Sequence, residues 1–117
     1  MIQAVVKMVL DPEKQREALN ILVSVAQRTR AETGCLGCSV LRDAENDHAI
    51  VFEEIWRGED ELKQHLIRDA YRKVLLVMEM ASLPPEIRFN TITSTAGVEL
   101  IERARAAGSH PGAARET

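Results

Sequence analysis

Glu54, Trp56 and His65 are the side chains of this 117-residue sequence best suited to chemistry. Alternation along His48–Trp56 puts Ile50, Phe52, Glu54 and Trp56 on one face of a strand. A carboxylate is thereby aimed at whatever Trp56 contacts. If that face is buried, Glu54 needs a partner, and Arg88, Lys7 and His65 are the candidates. The imidazole of His65 titrates near neutrality, which makes it the candidate general base with Glu54 as its candidate partner. Such a couple would orient and charge the ring. A structural ion pair, or a half-buried histidine bonded to its own scaffold, fits the same residues. Tyr71 offers a hydroxyl either to a pocket or to solvent. Cys35 and Cys38 have CxxC spacing, but in a strand rather than at the head of a helix. Residues three apart on a strand point to opposite faces, so the two read as small buried residues, not as a redox pair or metal site.

The elements that must position these residues follow in order. Ile2–Leu10 is a β-branched run, apolar on both parities apart from Lys7, and reads as a central or doubly covered strand. Asp11-Pro12-Glu13 starts a helix with a carboxylate cap, proline at the first position and acid in the first turn. That helix is expected to reach about Thr33, with Ala18, Leu19, Leu22, Val23, Ala26 and Thr29 inward and Arg16, Arg28 and Glu32 on the wet side. Gly34 stops it, since glycine enters the left-handed conformation without a Cβ penalty. Cys35–Arg42 and His48–Trp56 form a hairpin around the turn formers Ala44–Asp47.

After Arg57-Gly58-Glu59-Asp60, a second helical region carries Leu62, Leu66, Ala70, Val74, Val77 and Ala81 at helical spacing, with His65 beside that stripe. Leu75, Leu76, Met78 and Met80 make its second half apolar nearly all round, which predicts burial on more than one side. Ser82–Pro85 ends it, and Glu86–Ser94 is a last strand. The domain is expected over residues 1–96, a helical appendage over 97–107 and a flexible tail over 108–117.

The order β-α-β-β-α-β predicts an α+β, ferredoxin-like fold, with a four-stranded antiparallel sheet and both helices on one face. Apolar residues at both strand parities would leave a large patch on the other face. A second copy packed sheet to sheet, a dimeric α+β barrel, covers it. A net charge of −3 with no dominant Lys/Arg cluster argues against a nucleic-acid role driven by phosphate neutralisation. No apolar run is long enough for a bilayer, and Met1-Ile2-Gln3 leads straight into a strand, so a cytosolic location is expected.

The sequence resembles the antibiotic biosynthesis monooxygenase (ABM) domain family, which includes quinol monooxygenases. The matching pieces are Met1-Ile2 with Val5-Val6-Lys7, Thr29–Leu36, Leu41-Arg42-Asp43, Phe52–Trp56, Leu62 with His65-Leu66, and Pro85–Arg88. They run in order over roughly the first 93 residues. The resemblance implies a dimer of ferredoxin-like subunits, each with a pocket between sheet and helices. It also implies oxygenation of a phenolic or quinol substrate without metal or flavin. Trp56 and His65 match the family's pocket tryptophan and helix histidine, and Tyr71 matches an aromatic that follows a second histidine. Two departures stand out: Ala70 occupies the second histidine's place, and Phe52 the place of an asparagine found in some aromatic-oxidising members. The first strand has no asparagine near Lys7, which sets aside the haem-degrading branch.

Two functions follow. In the first, the protein is a cofactor-independent monooxygenase acting on a quinol or polycyclic phenol, with His65 as base and Trp56, Phe52, Tyr71 and Leu66 around the substrate. Deprotonation would replace a cofactor, because a phenolate yields an electron to oxygen far more readily than a phenol. In the second, it is a non-catalytic or stress-associated dimeric barrel that binds a small apolar ligand.

Overall fold

The computed structural model describes residues 1–109; the expected flexible tail lies almost wholly outside them. The elements are β1 (Ile2–Val9), α1 (Pro12–Thr29), β2 (Cys35–Asp43), β3 (Asn46–Trp56), α2 (Glu59–Leu66), a short 3-10 turn (Asp69–Tyr71), α3 (Arg72–Met80), β4 (Glu86–Thr91) and α4 (Val98–Gly108). The strands form one antiparallel sheet in the order β2-β3-β1-β4, the ferredoxin-like arrangement expected from the sequence.

Strand parity decides which side chains meet the helices. Ala4, Val6 and Met8 of β1 stand opposite Glu54, Phe52 and Ile50 of β3, and all six are buried. Val6, Met8, Ile50 and Phe52 pack against α1 and α3, whose inward residues Ala18, Leu22, Val25, Ala26, Val74 and Val77 complete the core, while Ala4 and Glu54 meet α2. The other face presents Val5, Val51 and Ile55 half-buried and Leu41 exposed, interspersed with Gln3, Lys7, Ser39 and Glu53. No described element covers it.

Several boundaries differ from expectation for identifiable reasons. α1 ends at Thr29 rather than near Thr33, because Ala31 and Glu32 bond back three residues, to Arg28 and Thr29. The inward stripe therefore runs Gln15, Ala18, Leu22, Val25, Ala26, Thr29, leaving Val23 exposed. Asp11 holds the cap position without a side-chain cap bond. Gly34 adopts φ +83°, and a Cβ there would lie 2.3 Å from Glu61 Cγ, so both conformation and space demand glycine.

The second helical region is broken at Ile67–Arg68, where Arg68 turns extended. Leu75 and Leu76 are about half exposed, because α1 covers α3 on one side only. β4 stops at Thr91, where β1 begins. A bulge at Leu36 places both Cys35 and Cys38 on the helix side, opposite Trp56 and Glu54, correcting the expectation of opposite faces. Both thiols are free, and burial pushes Cys38 up to about 12. α4 has no buried residue.

Candidate active site

The buried imidazole of His65 is the centre on which three elements converge. α2 carries it inward beside Leu62, and only 1% of it is exposed. Its Nε2 lies 2.5 Å from Oε2 of Glu54, a carboxylate equally buried on β3. Neither atom has a conventionally aligned hydrogen bond, so they meet as a close ion-pair contact. On the other side of the ring, Nδ1 lies 2.9 Å from Oε2 of Glu32. The Trp56 ring stacks obliquely on the imidazole, with centroids 4.6 Å apart, and Tyr71 meets it edge-on at 5.1 Å. Trp56 is fully buried, and its indole Nε1 has no hydrogen-bond partner.

Burial opposes the charged form of His65, but Glu54 and then Glu32 more than offset it and hold the ring above its ordinary value. Burial, and secondarily the Glu54 charge, pushes the Tyr71 phenol up to about 12. Tyr71 is thus a neutral hydroxyl at ordinary pH.

A cavity of about 370 Å³ adjoins this cluster, bounded by Ile2 and by Glu59, Leu62, Lys63 and Leu66 of α2 on one side and Phe89 and Thr91 of β4 on the other. Ile2, Leu62 and Leu66 also pack against Trp56, so one layer of aliphatic side chains separates the cavity from the Trp56–His65–Glu54 cluster. The helix side of β4 is left open there, with Phe89 half exposed.

Of the residues singled out from the sequence, Glu54, Trp56, His65 and Tyr71 gather around one imidazole, and Leu66 lies on the cavity wall. Phe52 does not join them: it is fully buried in the main core, away from the cavity lining. Of the three partners considered for Glu54, Lys7 and Arg88 stand on the opposite sheet face, where Lys7 approaches Asp43, and His65 alone reaches it.

Sequence reasoning missed Glu32 by placing it on the wet side of α1. Its side chain is only 14% exposed, and its second oxygen forms an ion pair with Arg68 at 2.9 Å. The available signal was its place two residues before the glycine stop, where the chain must already be turning toward β2. Among the described residues, no group of three or more His, Cys, Asp or Glu side chains is arranged to hold a metal ion. No described helix is long and apolar enough to cross a membrane.

The fold is a ferredoxin-like α+β domain, and comparison with known proteins gives its family. The profile of the family described as antibiotic biosynthesis monooxygenase matches residues 1–75, and the chain belongs to that family. A crystal structure of a conserved protein from Methanosarcina mazei Go1 is 30% identical, with a TM-score of 0.71 over 76% of this chain and 89% of that one. Rv0793 from Mycobacterium tuberculosis shares the fold at 20% identity, with a TM-score of 0.74 over 82% of this chain and 98% of that one. An uncharacterized protein of Synechocystis, sll1783, is 26% identical over 85 residues, which is 72% of this chain. The matched segment spans 58% of that relative's length.

Proposed function

We propose that the protein is a monooxygenase that oxidises a quinol or a polycyclic phenol with molecular oxygen, in the cavity between α2 and β4. The observation that carries this reading is the buried Glu54–His65 contact beside Trp56, one aliphatic layer from an apolar cavity. A fully buried carboxylate and imidazole are a costly arrangement for stability alone, and such pairs concentrate at reactive sites.

The geometry favours a division of roles that differs from the sequence expectation. Both ring nitrogens of His65 face carboxylates, so Glu54 takes the phenolic proton and the imidazolium stabilises the phenolate. Leu62 and Leu66 must swing aside to admit the substrate, a motion of single rotamers. The phenolate then supplies electrons to oxygen. For an anthrone, the ring methylene becomes a carbonyl with one oxygen atom, and the other leaves as water with the two methylene hydrogens.

The open sheet face supports a homodimer, with α4 lying against the partner. Its exposed Val98, Leu100 and Ile101 are apolar surface that an isolated helix of this length would not hold in water. A stable monomer in solution would remove that part of the proposal.

Oxygen uptake with reduced menadione or an anthrone tests the activity. Wild type should consume oxygen, and His65→Ala should lose about 10²-fold or more. No uptake by wild type favours the second reading, a barrel that binds a small apolar ligand, which the aliphatic and aromatic part of the cavity wall supports. An unchanged rate in the variant would remove His65 from the mechanism.

A further inference from the structure

We infer that Glu32, in the turn between α1 and β2, is the positioning residue of the buried pair: it accepts the Nδ1–H of His65, aims Nε2 at Glu54 and keeps the ring cationic. This rests on the reading of Glu54–His65 as the reactive pair. The geometry is a row of three contacts that starts at the surface and ends in the core. Arg68 Nε pairs with Glu32 Oε1 across 2.9 Å as an ion pair, and Glu32 Oε2 faces His65 Nδ1 at 2.9 Å. His65 Nε2 faces Glu54 at 2.5 Å. The helix break at Ile67–Arg68 makes the first contact, since extended Arg68 turns back toward the α1–β2 turn.

An imidazolium donates from both nitrogens but can still flip its ring, and a second acceptor fixes which N–H faces the reacting side. Glu54 cannot supply that constraint alone. Its contact with the ring is poorly aligned, whereas the Glu32 contact is a well-formed hydrogen bond. The charges close as well: two carboxylates, an imidazolium and a guanidinium sum to zero, so the row needs no further counter-ion in the core.

The other groups facing His65 add no charge near neutrality. Trp56 on β3 is neutral, Tyr71 on the 3-10 turn is pushed up to about 12, and so is Cys38 on β2. Burial raises Cys35, on the same strand. Glu32 itself borders a polar cleft of about 210 Å³ shared with Arg57, Asp60, Glu61 and Arg68, so its substitution does not open the core.

The test is an NMR titration of the histidine ring, with His65 assigned against its own variant and His48 and His110 as internal controls. Glu32→Gln preserves a carbonyl acceptor for Nδ1–H while removing the charge, and should lower the proton affinity of His65 about tenfold. Arg68→Ala, at an exposed position, frees the Glu32 charge and should raise that affinity. A Glu32→Gln midpoint within about twofold of wild type, or a fall in both variants, would overturn the inference. In the oxidation assay, the alkaline limb of kcat/KM should move to lower pH in Glu32→Gln by the same factor. Opposite NMR shifts in a protein that consumes no oxygen would leave the positioning intact and defeat the enzymatic reading instead.

Discussion

Replacing His65 by leucine is the perturbation whose consequence the structure fixes most tightly. The substitution removes the cation from a carboxylate that is 1% exposed and has no other charged neighbour, since Lys7 and Arg88 stand on the far side of the sheet. Breaking one side of a buried pair costs about 3–5 kcal/mol, because the remaining charge is left uncompensated. A domain of this size has about 5–15 kcal/mol in total, so the single variant forfeits about a fifth or more of its stability. The double variant Glu54→Leu/His65→Leu removes both charges and fills both sites with apolar groups of similar volume. It should recover to within about 1 kcal/mol of wild type, as replaced buried pairs do. Urea unfolding followed by the fluorescence of Trp56, the sole tryptophan, reads both, with far-ultraviolet circular dichroism as a second probe. A cost below about 1 kcal/mol in the single variant would mean that Glu54 is not a buried, His65-dependent carboxylate. Losses that simply add in the double variant would mean that the two residues do not interact.

Three further outcomes follow from other parts of the structure. Gly34→Ala should destabilise by about 1–3 kcal/mol in the same urea assay, through its positive φ and the approach of Glu61; a change under about 0.5 kcal/mol would contradict this. His65 is held above its ordinary value in the folded state, so its contribution to stability is complete below about pH 6.5 and is lost as pH rises through the folded-state value. Melting temperature should therefore decline on the alkaline side in wild type and not in the double leucine variant. Leu66→Trp should fill much of the cavity, raising the KM for an anthrone at least about tenfold, a loss of about 1.4 kcal/mol, without lowering the melting temperature; an unchanged KM would place the substrate elsewhere.

The sheet, its order and the placement of Glu54 beside Trp56 were legible because period-two alternation and glycine stops are local signals. His65 was found because an isolated histidine on an apolar helix stripe is conspicuous. Glu32 was not, because helical periodicity assigned it to a solvent face on a helix that in fact ends three residues earlier. The tight turn after Thr29, set by backbone bonds to Arg28 and Thr29, redirects the side chain into the core. Tyr71 could be a pocket or a surface residue until the break at Ile67–Arg68 was seen, since a continuous helix would carry it elsewhere. Phe52 shows the converse: it shares a face with Glu54 and Trp56, yet the helices overlie that part of the sheet and seal it into the core. The bulge at Leu36, which reverses the parity of Cys35, has no strong sequence mark.

The central claim is that Glu54 and His65 are kept for chemistry rather than for the fold. Oxygen consumption with an anthrone by the folded Glu54→Leu/His65→Leu variant, measured beside wild type, tests it most directly. The account expects a stable variant that consumes oxygen no faster than the uncatalysed reaction while wild type turns over. Equal rates in the two proteins would contradict it.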